Sequence, residues 1–453
     1  MQSDLKLEDV VNLCKRRGFV FQGSEIYGGL AGTYDYGPYG IELRNNLKNL
    51  WWKMFIHERE DMYGIETSLI SSGKIWEASG HLSGFNDPVV EDTKTKKRFR
   101  ADHFLEDNGV DPTGLSLAEI SAVIKSKKLK SPDGNELSEP TMFNMMFPVQ
   151  MGASSDSTHT AYLRGETAQG IFVNFKNIVD TIYPNIPFGL GQIGKCFRNE
   201  IAPRDFIFRL RELEIAELEY FIEEKSWEES FQMWVEMSRK WFLRIGLPEG
   251  SVLEREIGDG DRAHYSKRTI DFEFNYPTMG YKEVAGLAYR TNYDLRQHIQ
   301  HSGEKLEYRP KDGGAAFVPH VIEPSFGLDR NFLAVLCAAY REDGEGDEKR
   351  VFLKLPFELA PVKVAVFPLL KNKPDLVNKA REVFGMMKKE FGAVMYDDNA
   401  NIGKRYRRQD EIGTPWCVTV DFDSLEDNSV TLRNRDDGSQ IRVKIEELVS
   451  WIR

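Results

Sequence analysis

The chain has 453 residues, roughly three domains' worth at ~150 residues each, so a lone small module is excluded. It is 41% hydrophobic, 29% charged and 12% aromatic, the profile of an ordinary soluble globular protein rather than a disordered or collagenous one. Lys plus Arg number 60 against 71 Asp plus Glu, and the net charge of −11 excludes a protein that coats nucleic acid non-specifically; any such contact must be local.

The opening MQSDLKLEDVVNLCKRR carries acids in an amphipathic pattern, unlike a secretory signal or an Arg-rich transit peptide, so the cytoplasm is the expected location. Between about Phe85 and Pro140, KTKKRFR (94–100), the amphipathic SLAEISAVIKSKKLK and the turn-rich SPDGNELSEP read as an insertion in a larger domain. The segments IGKCFRNE, RLRELEIAELEYFIEE, RTIDFEFNYP, YKEVAGLAYR and FVPHVIEPS follow as extended stretches with turns between, which predicts an antiparallel sheet and an α+β class for residues 1–355. The apolar run Phe332 to Tyr340 is far shorter than the ~20 residues that cross a bilayer, and no membrane association is expected. REDGEGDEKR (341–350) and the proline-containing LKLPFELAP read as a linker to a separate domain, 356–453, whose first strand follows Pro361. In that domain VKVAVFPLL, AVMYDD, PWCVTVDF and SVTLRNRD read as strands, with helices at DLVNKAREVFGMMKKEFG and IGKRYRRQDEIG. QIRVKIEELVSWI adds a last strand and helix, an alternation that predicts an open α/β sheet. Cys14, Cys196, Cys337 and Cys417 lie far apart without a CxxC pair, so buried reduced thiols are expected, and no zinc.

The chemistry concentrates in two places. In GQIGKCFRNE a two-residue period puts Arg198 and Glu200 on one face, and the same parity in the returning strand gives Arg209, Arg211, Leu213, Ile215 and Glu217 a common face. Guanidinium groups at that density suit a polyanion, because each planar fork donates paired hydrogen bonds to phosphate oxygens and never loses its charge. In FVPHVIEPS, Glu323 and Ser325 share a strand face, and Gly327 opens an apolar helix with Arg330 in its first turn. A cation at a helix N-terminus opposes the macrodipole unless a phosphate or a π-face lies beside it. GKRYRRQ (403–409) sets four basic residues and Tyr406 in one short segment, a composition suited to single-stranded RNA.

FRNE with its Arg-rich return strand resembles motif 2 of the class II aminoacyl-tRNA synthetases, and GLDR opening a helix resembles their motif 3. YDYGPYGIELRNNLKNLWW, RADH, YLRGETAQGIFVNF, GQIGKCFRNEIAPR, KEVAGLAYRTNYDL and EPSFGLDR are similar to strings of the dimeric glycyl-tRNA synthetases, over nearly the whole chain. The resemblance implies a class II antiparallel-sheet catalytic core with an insertion, plus a C-terminal α/β anticodon-binding domain. It implies an ATP- and Mg²⁺-dependent ligase that makes glycyl-adenylate and passes glycine to the 3′ end of tRNA-Gly, acting as a homodimer. ATP contacts would come from Arg198, Asn199, Glu200, Phe208, Arg209, Leu210, Arg211, Glu212, Leu213, Glu283, Val284, Gly327, Leu328, Asp329 and Arg330. Arg198 would hold the α-phosphate and the reacting carboxylate, Glu200 the adenine amino group, and Arg209 and Arg330 the γ-phosphate, with Arg330 also stacking on adenine. Glycine contacts would come from Arg100, Glu166, Leu213, Glu214, Ile215, Ala216, Glu217, Glu323, Pro324, Ser325, Phe326 and Gly327, with Glu166, Glu217 and Glu323 converging on the ammonium. Glu283 and Glu323 would meet Mg²⁺ bound to ATP, and Lys404, Arg405, Arg407 and Arg408 would meet tRNA. Two positions depart from the pattern: Leu213 stands where the family has an adenine-stacking Phe, and the motif 1 helix LRNNLKNLWWKMFIHERED runs into MYGIETSLISS without the usual Pro. The alternatives are a class II synthetase for another amino acid, or a non-catalytic synthetase-like subunit that binds nucleic acid.

Overall fold

The computed structural model describes residues 4–152, 160–260, 262–263, 265–346 and 349–452. Seven strands build the central sheet: β1 (Met62–Gly64), β2 (Phe188–Phe197), β3 (Glu212–Ile222), β4 (Val252–Glu256), β5 (Arg268–Tyr276), β6 (Gly280–Thr291) and β7 (His320–Gly327). Their order is β4-β5-β6-β7-β3-β2-β1, antiparallel throughout except for β1, which runs parallel to β2. This is the antiparallel α+β core expected from the succession of extended segments.

Strand β3 has acids between its apolar residues and is still buried on both faces. Ala216, Leu218, Tyr220 and Ile222 enter the larger core, while Phe221 packs on the opposite face, with Glu217 and Glu219 sharing its parity. Five helices flank the sheet: α1 (Pro38–Trp52), α2 (Ala168–Ile182), α3 (Trp227–Arg244), α4 (Tyr293–Ser302) and α5 (Leu328–Ala339). Helix α5, apolar all round in sequence, is buried at every position but Arg330. Phe326 sits among Trp51, Phe55, Trp241 and Phe242, where truncating one aromatic ring costs about 3–5 kcal/mol. On the other face Phe172 and Phe175 of α2 meet Phe221. One face is thus a dry core, and the other carries the polar residues that form the site.

Three expectations change. The motif 1 helix begins earlier, with Pro38 at a first-turn position where its missing N–H costs nothing, and it ends in a π-helical turn at Lys53–His57. Strand β2 stops at Phe197 and the return strand starts at Glu212; Arg198 N still donates to Arg211 O, but Glu200 and Arg209 lie beyond this pairing and strand parity does not align them. Burial of Phe206, Ile207 and Phe208 pulls that loop into the core through a short 3-10 turn, with positive φ at Asp205 and Phe206. The expected linker at 341–350 is a hairpin: Tyr340–Asp343 pairs with Arg350–Leu353, while Asp347 and Glu348 lie outside the described residues.

The insertion folds around its own small core of Val90, Ala101, Leu105, Ile120 and Ile124. It has three strands (Asn86–Glu91, Arg98–Arg100, Thr141–Asn144) and two main helices, the second opened by a Ser116/Glu119 capping box. The C-terminal sheet is formed by β8 (Val364–Pro368), β9 (Val394–Tyr396), β10 (Trp416–Val420), β11 (Ser429–Asn434) and β12 (Gln440–Lys444), in the order β9-β8-β10-β11-β12. The first three strands are parallel and the last two antiparallel, with α6 (Pro374–Phe391) and α7 (Ile402–Ile412) as the main helices. The four cysteines are buried and unpaired, and no described helix is long and apolar enough to cross a membrane.

Candidate active site

A cleft on the polar face brings Arg198, Glu200, Arg209, Glu283, Ser325 and Arg330 together, with Phe208, Leu210, Leu213, Ile215, Val284 and Gly327 along its wall. Arg198 is anchored through Nε to the Gly165 carbonyl at 3.0 Å. Arg330 reaches Glu283 Oε2 at 2.8 Å and lies 4.4 Å from the Phe208 ring centroid, so an aromatic face does accompany this N-terminal cation. Arg209 has neither a hydrogen-bond nor an ion-pair partner among the described residues. Burial lowers its pKa, Glu200 works the other way, and Arg100, Arg330 and Arg204 lower it further. Guanidinium groups crowded into one cleft, with Arg209 left without an ion-pair partner, have the electrostatics of an anion site. Glu200 leaves a buried Oε2 with no donor, an acceptor suited to an exocyclic amine.

A cluster of acids lies beside the cleft, joined to it through Ser325. Glu217, 4% exposed, accepts at Oε2 from Thr167 N (2.7 Å), Ala168 N (3.1 Å) and the Thr167 hydroxyl, and at Oε1 from Ser325 Oγ (2.9 Å). Its carboxylate therefore sits on the N-terminus of α2, where the macrodipole favours it. Glu323 accepts from Arg290 Nη1 at 2.7 Å; burial pushes its carboxyl up to about 8, against the pull of Arg290 and with the help of Glu217 and Glu166. Glu166 lies 3.1 Å from His81 Nε2 and 3.0 Å from Gln169 Nε2. Burial opposes its ionisation, but His81, Arg290 and these hydrogen bonds outweigh that and hold it below the usual carboxylate range.

Other expected residues border the cleft without offering it a side chain. Period-2 alternation turns Glu212 outward to Lys195 and Glu214 back to Arg44 and Lys48. Asp329 is spent on Arg44, Tyr36 and the Glu214 amide. Arg211 ties down the carbonyls of Glu200 and Ala31. The backbone N–H of Asn199 donates to Met145 O, and Ala216, Phe326 and Leu328 face the core. Pro324 lies in β7 between Glu323 and Ser325. Arg100, paired with Asp87 and Asp102, comes within electrostatic reach of Glu200 and Arg209 from the insertion.

As a Mg²⁺ ligand Glu283 fits: its side chain is half exposed, with one oxygen used by Arg330, and carboxylate oxygen is what the ion takes. Glu323 does not fit, because it is buried and Arg290 occupies one of its oxygens. Beside Glu283, burial and then Glu283 itself push Asp271 up to about 7. The folded state therefore keeps this proton after the unfolded chain has lost it, and stability falls as pH rises from about 4 to 7. Asp271→Asn is expected to raise Tm at pH ~8, the gain vanishing near pH 4; thermal unfolding at the two pH values checks it.

In the C-terminal domain Lys404 is exposed and Arg407 and Arg408 are half-buried. Arg405 corrects the expectation of an RNA contact: it is 2% exposed, and its guanidinium donates to the carbonyls of Pro368, Asp398, Asn399 and Ala400. Tyr406 packs inward on Phe367 with its hydroxyl on Thr419. Arg408 pairs with Asp397, and Arg407 donates to Lys349 O. Missed in the sequence were Arg290, Asp294, His81, Gln169 and Thr167, which organise the acid cluster; Arg290 lies at the end of β6 and Asp294 at the start of α4, so no helix or strand period signals their pairing.

An antiparallel sheet with an arginine-lined cleft over its second face and a short helix-opening motif at its centre defines the catalytic core of a class II aminoacyl-tRNA synthetase. The family model "tRNA synthetase class II core domain (G, H, P, S and T)" matches residues 148–340, and "Anticodon binding domain" matches 363–453. The chain is 46% identical to a glycine--tRNA ligase of Bacillus anthracis, with 98% of each chain covered. It is 45% identical to that of Caldanaerobacter subterraneus (100% and 99%) and 43% to that of Deinococcus radiodurans (98% and 98%). The chain belongs to the glycine--tRNA ligase family.

Proposed function

We propose that this protein joins glycine to ATP to form glycyl-adenylate and pyrophosphate, then transfers the glycyl group to the 3′ end of tRNA-Gly. The observation that carries this is the adjacency of the arginine-lined cleft, with Arg198, Arg209 and Arg330, to a cluster of three acids, Glu166, Glu217 and Glu323, which meets the cleft at Ser325. The first accepts a polyphosphate and the second a small ammonium. The chemistry is in-line attack of the glycine carboxylate on the α-phosphorus, which needs positioning and charge neutralisation rather than a protein nucleophile. Arg198 holds the α-phosphate and the attacking carboxylate, Glu200 accepts from the adenine amine, and Arg209 and Arg330 take the terminal phosphate. For Arg330 that means leaving Glu283, whose carboxylate then serves Mg²⁺. With Leu213 in place of an aromatic ring, adenine is held between an aliphatic wall and a guanidinium.

The test is ATP–pyrophosphate exchange over a panel of amino acids. Exchange with glycine alone is expected; exchange with alanine, serine or proline but not glycine would favour another class II synthetase. No exchange with any of them would favour the non-catalytic subunit. The catalytic part comprises residues 1–355 and the anticodon-binding part 356–453; no zinc is required, and the enzyme works in the cytoplasm as a homodimer using α1. Lys404, Arg407 and Arg408 serve the tRNA. Lys404→Ala with Arg407→Ala is expected to raise the KM for tRNA about tenfold, two phosphate contacts being worth ~1.4 kcal/mol together, and to leave exchange unchanged. Steady-state charging checks this, and a fall in exchange would refute it.

A further inference from the structure

The C-terminal end of α7 is bolted to the rest of the chain far from the cleft. Its last residue, Ile412, belongs to the apolar core behind the central sheet, together with Leu353, Leu355 and Leu359. Gly413 closes the helix at φ +79°, so near that segment that a Cβ there would stand 2.6 Å from Leu355 Cδ1. Glu411 pairs with Arg16 (3.3 Å) and Arg17 of the N-terminal helix Leu7–Arg17. Asp410, 0% exposed, accepts from both Nη atoms of Arg433 of β11, at 2.7 and 3.0 Å. Arg350, from the hairpin that follows α5, reaches the same carboxylate at 3.4 Å and donates to the Arg435 carbonyl at 2.7 Å, while its Nε donates to Asp343 at 2.9 Å. The hairpin begins at Tyr340, directly after α5, whose first turn carries Arg330. Helix α5, the hairpin and α7 thus form one packed path from the cleft to the basic segment of the C-terminal domain.

We propose that Arg350 is a positioning residue for tRNA charging: it clamps the C-terminal domain to the hairpin after α5 and so holds α7 at a fixed distance and angle from the cleft. The inference rests on the reading of that domain as a tRNA contact. Apolar contact such as that of Ile412 with Leu353 and Leu355 is non-directional and lets one body turn on the other. A planar guanidinium that donates in set directions to Asp343 on one side and to the Arg435 carbonyl on the other fixes the angle. The clamp is separable from the fold. Without the Arg350 side chain Asp410 keeps both bonds from Arg433, and Asp343, 47% exposed, is left to water, so no buried charge is stranded. A tRNA bound at its 3′ end meets the C-terminal domain intramolecularly, at an effective concentration that falls when the spacing is no longer held.

The experiment compares full-length wild type and Arg350→Ala on two substrates, tRNA-Gly and an acceptor-arm minihelix without an anticodon. In Arg350→Ala, kcat/KM for tRNA-Gly is expected to fall at least about tenfold, through KM, while minihelix charging and glycine-dependent exchange stay within about threefold of wild type. Arg350→Lys, which keeps the charge and a donor for the Arg435 carbonyl, is expected to recover part of the loss. Charging of tRNA-Gly within about threefold of wild type in Arg350→Ala would overturn the proposal, and so would an equal fall on the minihelix or in exchange, the mark of a general structural defect. If Arg350→Ala fails to fold, Asp343→Ala frees the half-exposed side of the same guanidinium: a loss of about threefold or more confined to tRNA-Gly is expected, and unchanged charging would overturn the proposal. A wild-type enzyme that charges the minihelix as well as tRNA-Gly would instead overturn the reading of the C-terminal domain as a tRNA contact, and the role of the clamp with it.

Discussion

Arg209→Ala is expected to lower glycine-dependent ATP–pyrophosphate exchange by about 10²- to 10³-fold while leaving Tm unchanged or slightly raised. The two effects separate because of how this side chain is held. It has no hydrogen-bond or ion-pair partner among the described residues, so removing it orphans no donor or acceptor. It stands among Arg100, Arg204 and Arg330, whose repulsion opposes the attraction of Glu200, so removing it costs the fold little. A cation kept under those conditions is stabilised only by an anion, and in a nucleotidyl transfer the anion is a phosphate whose charge must be neutralised. Exchange within threefold of wild type would show that Arg209 faces no reacting phosphate. A Tm fall above about 5 °C would show an unrecognised structural partner. Arg198 is a less clean probe, because its Nε bond to the Gly165 carbonyl adds a structural loss to the catalytic one.

The residues that were legible in the sequence are those whose chemistry is local. Arg198, Glu200, Arg330 and Ser325 announce themselves by sitting in short strings where charge interrupts an apolar pattern, and the cleft gathers them. Parity arguments failed where the chain leaves the ladder: Arg209 and Arg211 follow a loop pulled inward by Phe206, Ile207 and Phe208, which no period-2 reading anticipates. Charge was equally deceptive at Arg405, where a basic run resembling a solvated face contains one guanidinium that satisfies four backbone carbonyls inside the domain. Arg290, Asp294 and Glu219 went unread because their meaning depends on which strand each faces. Glu219 in ELEIAELEYFI is indistinguishable from an exposed strand Glu until β7 is laid alongside.

The contrast to Arg209 is Glu217→Ala, which is expected to abolish glycine-dependent exchange and also to destabilise the fold by about 3–5 kcal/mol. Glu217 accepts two backbone amides at the start of α2 and two hydroxyls, Thr167 and Ser325. All four donors lose their acceptor in the variant, at a site that is 4% exposed. The same four bonds fix the geometry of Ser325 and the α2 N-terminus, so pocket shape and fold stability have a common origin there. Glu217→Gln separates them: the amide oxygen still accepts, and its NH₂ must face either the Thr167 amide or the Ser325 hydroxyl, which can reverse its role and accept. Glu217→Gln is therefore expected to recover most of the lost Tm but little of the exchange, because a neutral amide gives the substrate ammonium no counter-charge. Differential scanning calorimetry paired with the exchange assay reads both. A Glu217→Gln enzyme with near-normal exchange would mean that the ammonium is held by Glu166 and Glu323 alone, and that Glu217 is part of the scaffold rather than of the glycine site.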